Sequence, residues 1–214
     1  VPLDEELRKL PKSLYIRFGD DLFFASSEKS SVESAERITQ EFLARRRLHL
    51  NDEKTKKIIF GKSHLKTELS EENPGLEFAS SIEYLGMQLK CDGSIALPKL
   101  KWRRIRNFIT QHMLFVHRNF KDARADEKLK AIASALQGLF TRDSLLEGNP
   151  ILSALIEITD EHQLRDMDRW LALFVHRLMG FKGFKKGNFR RLSFKSMRAA
   201  GVPSFMHLRR THGL

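Results

Sequence analysis

The sequence predicts an α+β fold, with short strands and one amphipathic helix up to Leu97 and helices alone beyond it. Three observations carry that reading. Aromatic and aliphatic runs flank Gly19-Asp20-Asp21 and Asp92-Gly93, residues that favour tight turns. Beyond Pro98 the apolar residues recur at the helical period. With 214 residues and 41% hydrophobic content, the chain can bury one sizeable core or two small ones.

Taken in order, the first recognisable element is the hairpin Leu14-Tyr15-Ile16-Arg17-Phe18 and Leu22-Phe23-Phe24-Ala25, with Asp20 and Asp21 at its tip. Ser30-Ser31-Val32-Glu33 has the form of a capping box, and Val32, Ala35, Ile38 and Phe42 extend a one-faced helix to about Arg47. Ile58-Ile59-Phe60 predicts a strand, Ser70 to Gly75 a loop, and Ile82 to Leu89 a strand that turns at Asp92-Gly93 into Ile95-Ala96-Leu97. Three helices follow. Their apolar positions are Ile105, Phe108, Ile109, His112 and Val116; then Leu129, Ile132, Ala133, Leu136, Leu139 and Phe140; then Leu164, Met167, Leu171, Phe174, Val175 and Leu178. The switch of period at Pro98 is the candidate domain boundary, and a helical bundle is the expected second domain.

Charge narrows the class of partner. The formal net charge is +11, from 38 basic and 27 acidic residues, and such an excess attracts polyanions through steering and counterion release. From Arg169 to Leu214 there is no acidic residue at all. The single cysteine, Cys91, excludes an internal disulfide and a thiolate zinc cage, as befits a reducing compartment. No apolar run approaches the ~20 residues that span a bilayer, so no membrane partner is expected. The chain opens at Val1 rather than at a methionine and reads as part of a longer polypeptide.

Adjacent carboxylates at a hairpin tip repel one another unless a cation relieves them, and oxygen ligands suit a hard divalent ion such as magnesium. In nucleotidyl transfer two such ions, about 4 Å apart, activate the attacking hydroxyl and stabilise the leaving pyrophosphate. An Asp-Asp pair is equally what a turn favours for its own sake, so the dipeptide alone leaves both readings open.

Its flanks decide the direction. Tyr15-Ile16-Arg17-Phe18-Gly19-Asp20-Asp21-Leu22-Phe23-Phe24 resembles the Arg-Tyr-Ala-Asp-Asp segment of reverse transcriptases of bacterial retroelements and group II introns, with Phe18 and Gly19 in place of the usual Tyr and Ala. Leu48-His49-Leu50-Asn51-Asp52-Glu53-Lys54-Thr55-Lys56 resembles that family's Leu-x-Leu-Asn-x-Glu-Lys-Thr segment. Ile82-Glu83-Tyr84-Leu85-Gly86, with Asp92-Gly93 and Pro98-Lys99 behind it, is similar to the Phe-Leu-Gly primer-grip hairpin and its exit into the thumb. Leu3-Asp4 resembles the end of the motif that precedes these. The resemblance covers residues 3 to 105, and its specificity lies in the ordered set.

The resemblance implies an RNA-directed DNA polymerase with an RNA template, a DNA primer, dNTP substrates and two Mg2+ ions in the complete site. Asp20 and Asp21 would be metal-site carboxylates, and Lys54 would approach the triphosphate as charge neutraliser or general acid. Gly86 would let the primer backbone pass close, with Tyr84 and Leu85 packed behind it. Residues 1–97 would be the C-terminal part of the palm, 98–180 a helical thumb and 181–214 a basic RNA-binding extension. The first palm aspartate and the fingers would lie upstream, so the chain is expected to be inactive without that N-terminal portion. A bacterial cytoplasm is the expected location, or an organelle or nucleus for a eukaryotic maturase. Two rivals stand beside this reading. Gly-Asp-Asp is also the signature of viral RNA-dependent RNA polymerases, and a non-catalytic maturase or antiviral defence protein could keep the palm as scaffold.

Lys99, Lys101, Arg103, Arg104 and Arg106, with Trp102 among them, form a basic helix start suited to phosphate contact. Lys182, Lys185, Lys186, Arg190 and Arg191 alternate with aromatics, a composition suited to RNA. Phe181, Phe184, Phe189 and Phe194 are individually expected in the core, as are Met167 and Trp170, and His112 and His176 at helix interfaces. The histidine spacing gives no zinc site.

Overall fold

The computed structural model describes residues 2–140, 151, 155, 157–181 and 186–212. It is a mixed α and β chain with small antiparallel and parallel sheets, and it divides into two compact units, Val1–Ala79 and Ser80–Leu214. No helix among the described residues is long and apolar enough to cross a membrane.

The first unit opens with helix α1 (Pro2–Arg8), which precedes the hairpin expected to come first. Strands β1 (Ser13–Phe18) and β2 (Asp21–Ser26) pair antiparallel in the register Ile16↔Phe23 and Phe18↔Asp21. Helix α2 (Lys29–Ala44) begins one residue before the expected capping box, which does not form. Glu28 is its N-cap, with no side-chain cap bond, and the Ser31 hydroxyl instead donates to the Pro11 carbonyl at 3.2 Å. The helix ends in a left-handed turn, with Arg47 at φ 58° and the Leu48 amide donating to Leu43 across 3.0 Å. Leu3, Leu7 and Ala35 form the buried centre, with Tyr15, Phe24, Ile38 and Phe42 packed around them.

Farther along, β3 (Ile58–Phe60) pairs in parallel with β4 (Glu77–Ala79), a strand the apolar pattern is too short to announce. Helix α3 (Lys66–Glu72) crosses between them, so the expected loop from Ser70 is helical as far as Glu72.

The second unit begins with β5 (Ser81–Tyr84), β6 (Met87–Lys90) and β7 (Ile95–Ala96), a three-stranded antiparallel sheet in that order. The strand expected from Ile82 to Leu89 is therefore broken at Leu85-Gly86, where φ is 50° and 72°. Positive φ at both central residues makes a two-residue turn whose twist matches the strands. Helices α4 (Lys99–Asn119), α5 (Ala125–Leu139) and α6 (Glu161–Leu178) follow, then the shorter α7 (Lys186–Arg191), α8 (Phe194–Ala199) and α9 (Phe205–His212).

Their core holds Ile105, Ile109 and Met113 of α4, Ile132 and Leu136 of α5, and Leu164, Met167, Leu171 and Val175 of α6. Except for Met113, these are positions the helical period selects, whereas Phe108 and Val116 of the same expected stripe are half-buried and His112 is exposed. Met87 and Leu97 belong to the same core. That explains why the units divide at Ala79 although strands give way to helices at Pro98: the sheet's apolar side packs on the helices.

Polar bonds fix the same join. The Asp160 carboxylate caps α6 by accepting the His162 and Gln163 amides at 3.0 and 3.3 Å, and it also pairs with Lys90 of β6. The Gln163 side chain accepts from the Leu97 amide at 2.7 Å and donates to the Leu97 carbonyl at 2.9 Å. Thr159 bonds both ways with Ile95, its hydroxyl accepting at 2.7 Å and its amide donating at 2.9 Å.

Burial pushes the Asp160 carboxyl upward, but the Lys90 ammonium and the two amides outweigh it and hold it below its ordinary 3.8. Its folded pKa is depressed, so its contribution to stability is complete above pH 3.8 and is lost as pH falls through the folded value. Asp160→Asn is expected to cost about 1.5–3 kcal/mol at neutral pH. Thermal melts followed by circular dichroism should also show a shallower loss of stability for this variant than for the parent below pH 3.8.

Candidate functional site

The acidic tip is built by its backbone. With Phe18 opposite Asp21, only Gly19 and Asp20 close the turn, and Gly19 has φ 63° whereas Asp20 is not in the positive-φ region. A two-residue turn of that kind takes glycine at its first central position because a Cβ is strained there. Open space surrounds Gly19, so the demand for glycine is conformational and not steric. Asp20 and Asp21 are both exposed, and among the described residues neither side chain has an ion-pair or hydrogen-bond partner.

The hairpin is held from behind by Asp4 of α1. Its carboxylate accepts the Tyr15 hydroxyl at 2.6 Å and pairs with Arg17 at 3.3 Å. Sequence reasoning placed Asp4 at the end of a motif without giving it a task; the task is to seat β1 on α1. Burial, with the Asp4 carboxylate beside it, pushes the Tyr15 hydroxyl up to about 12.

The two aspartates suit part of a magnesium site. Magnesium keeps several waters and takes one or two carboxylates plus substrate phosphates, so an exposed pair of unengaged carboxylates fits that demand. Among the described residues no group of three or more His, Cys, Asp or Glu gathers to complete a cage.

Lys54 lies in the same unit, after α2, and the residues around it explain themselves locally. The Asn51 side-chain oxygen accepts the amides of Glu53 and Lys54 at 3.1 and 3.2 Å. The Asn51 carbonyl accepts the Thr55 amide and hydroxyl, both at 2.8 Å. Asn51 and Thr55 thus make the turn, and the exposed Lys54 side chain is left with no partner among the described residues.

In the second unit the Leu85-Gly86 tip is met by α4. The Lys101 ammonium donates to the Gly86 carbonyl at 3.4 Å and lies 3.4 Å from the Met87 sulfur. Tyr84 is half-buried, but Leu85 is 47% exposed, so it stands out from the tip and does not pack behind Gly86. Of the other α4 cations, Arg106 sits 5.1 Å from the Trp170 ring centre, while Lys99, Arg103 and Arg104 are exposed without ion pairs among the described residues. Lys99, Arg103 and Arg106 share one stripe by their spacing.

Nearer the C-terminus, Lys182 and Lys185 lie outside the described residues, as do Phe184 and the side chain of Lys186; Arg190 and Arg191 are exposed on α7. The core reading holds for Met167, Phe181 and Phe189, the last two packing on the core, but Phe194 is 48% exposed. His176 is buried and its Nε2 lies 2.9 Å from the Leu192 carbonyl. His112 is not at an interface: it is exposed, with Nδ1 bonded to the Phe108 carbonyl of its own helix at 2.9 Å.

No protein-family model, curated protein or solved structure matches the chain.

Two consequences can be measured. Of the chain's two tyrosines, Tyr15 should ionise near pH 12 in an alkaline absorbance titration, and Tyr15→Phe should remove that step and cost about 1 kcal/mol in urea unfolding. The raised value means that the contribution is intact below pH 10 and declines above it. Separately, Leu85→Asn should raise the free energy of unfolding, measured in urea, by about 1 kcal/mol, because asparagine tolerates a left-handed backbone that leucine resists.

Proposed function

We propose that the chain is the C-terminal palm and thumb portion of a reverse-transcriptase-type polymerase, acting in template-dependent nucleotidyl transfer together with an N-terminal portion. The observation that carries this reading is the acidic hairpin, which presents two unengaged carboxylates on a turn that demands Gly19. The ordered segments around Lys54 and Gly86 support it, since Lys54 is left exposed by a turn that Asn51 and Thr55 make and Gly86 lies exposed in a two-residue turn of its own.

In this reading Asp20 and Asp21 hold magnesium, which when bound supplies charge neutralisation at the reacting phosphate. Lys54 meets the negative charge of the incoming triphosphate and can give a proton to the departing pyrophosphate. The Leu85-Gly86 tip guides the primer backbone, and Lys101 steadies that tip through the Gly86 carbonyl. Lys99, Arg103 and Arg104 take phosphates of the template–primer duplex without reading sequence.

The deciding experiment is primer extension by the complete enzyme carrying Asp20→Ala. Extension should vanish while affinity for the template–primer duplex stays within about twofold, because a carboxylate makes no counterion-releasing contact with phosphate that its loss could remove. Normal extension by the variant would end the assignment. The sequence Phe18-Gly19-Asp20-Asp21 favours one rival, an RNA-dependent RNA polymerase. Incorporation of ribonucleotides but not deoxyribonucleotides on an RNA template would select it.

A further inference from the structure

Within the second unit a groove of about 770 Å³ opens between α5, α6, α8 and α9. Arg198 and Arg210 line it, both exposed and both without an ion-pair partner among the described residues. A third cation, Arg165, is already engaged by Glu161 at 2.7 Å. The groove's carboxylate, Asp168, lies within electrostatic reach of Arg198 but makes no ion pair with either arginine among the described residues. It is spent inside the fold, accepting the Ser204 hydroxyl at 2.7 Å and the Phe205 amide at 2.6 Å, and so anchoring the start of α9. Val202 and Met206 add apolar wall beside the arginines.

Two exposed guanidiniums without ion pairs, next to an apolar wall, match the two halves of a nucleotide, phosphate on one side and base or sugar on the other. A duplex offers only its phosphates from outside and would leave the wall unused, whereas an unpaired strand can present both. We propose that this groove binds single-stranded nucleic acid, with Arg198 and Arg210 contacting successive phosphates. It rests on the nucleic-acid part of the reading above and not on the acidic hairpin. Its place is set by Gln137 of α5, whose side-chain amide donates to the Gly201 carbonyl at 2.9 Å and ties the loop after α8 to the bundle.

The test measures binding of a short fluorescein-labelled single-stranded RNA by the full chain across a salt series. The pair Arg198→Gln and Arg210→Gln should weaken binding about tenfold or more and reduce the slope of log affinity against log salt by about 1.4. A control pair, Lys130→Gln and Lys195→Gln, removes the same charge from exposed positions outside the groove and should change affinity by less than about threefold. Arg198→Lys with Arg210→Lys, which keeps the charge, should recover most of the affinity. If the glutamine pair fails to fold by circular dichroism, Met206→Glu places repulsion on the same wall and should give the same loss. Equal losses from the groove pair and the control pair would overturn the proposal in favour of a diffuse positive field. Displacement of the RNA by uridine monophosphate at equal affinity would overturn the strand and leave a nucleotide pocket. Primer extension by the Asp20→Ala enzyme is independent of every arm of this titration, so failure here leaves the polymerase reading where it stood.

Discussion

One carboxylate, that of Asp160, does three things at once, and the second unit is organised around it. It satisfies two amides at the start of α6, neutralises Lys90 on β6, and thereby sets the height at which the sheet meets the helices. Burying a carboxylate costs free energy unless every oxygen is engaged, and here the engagement outweighs the burial. With β6 fixed, Met87 reaches the core formed by Ile109, Leu136 and Leu164. The turn at Leu85-Gly86 and the first turn of α4 are then held on one rigid body, which is why Lys101 can reach the Gly86 carbonyl.

The first unit is held differently. Its buried apolar centre is small, and Leu14, Ile16 and Phe18 of β1 stand exposed. Polar contacts carry more of the organisation: Asp4 to Tyr15 and Arg17, Ser31 to Pro11, and Lys57 to Glu36 at 2.6 Å. A two-stranded hairpin is marginal without such support. The acidic tip therefore stands on a scaffold whose order depends on a few hydrogen bonds, and Asp4 is as much a part of its presentation as Gly19.

Long periodic segments were legible from the amino acids. Ile105, Ile109, Leu164, Met167 and Leu171 repeat often enough for the apolar stripe to outweigh local preferences, and all are buried. Short elements were not. Pro2–Arg8 offers little more than Leu3 and Leu7 as a stripe, and Glu77–Ala79 is a strand because Ile58–Phe60 lies beside it in space. The capping box at Ser30 did not form because the helix starts at Lys29, which puts Ser30 inside its first turn; the neighbouring Ser31 bonds the Pro11 carbonyl, a contact between residues distant in the chain. By its apolar pattern Leu85-Gly86 reads as continuous strand and not as a turn, because leucine seldom adopts φ 50°. In the candidate site, Asp20, Asp21 and Lys54 could be singled out from sequence. Asp4 and Tyr15, which shape it, could not, since their contact joins separate elements and emerges only on folding, whereas Asn51 acts through a local turn with Glu53, Lys54 and Thr55. The groove between Arg198 and Arg210 joins side chains from separate helices, and no linear spacing marks it.

The division at Ala79 bears on how such a chain could be inherited. Residues from Ser80 onward carry a hairpin tip, the helix that steadies it and a core that encloses both. A recombination event that joined new material at this point would transmit them as one cassette with their mutual spacing unchanged. A junction at Pro98, where the period of the sequence changes, would sever Met87 and Lys90 from their partners. Selection would then favour breakpoints that hydropathy does not advertise.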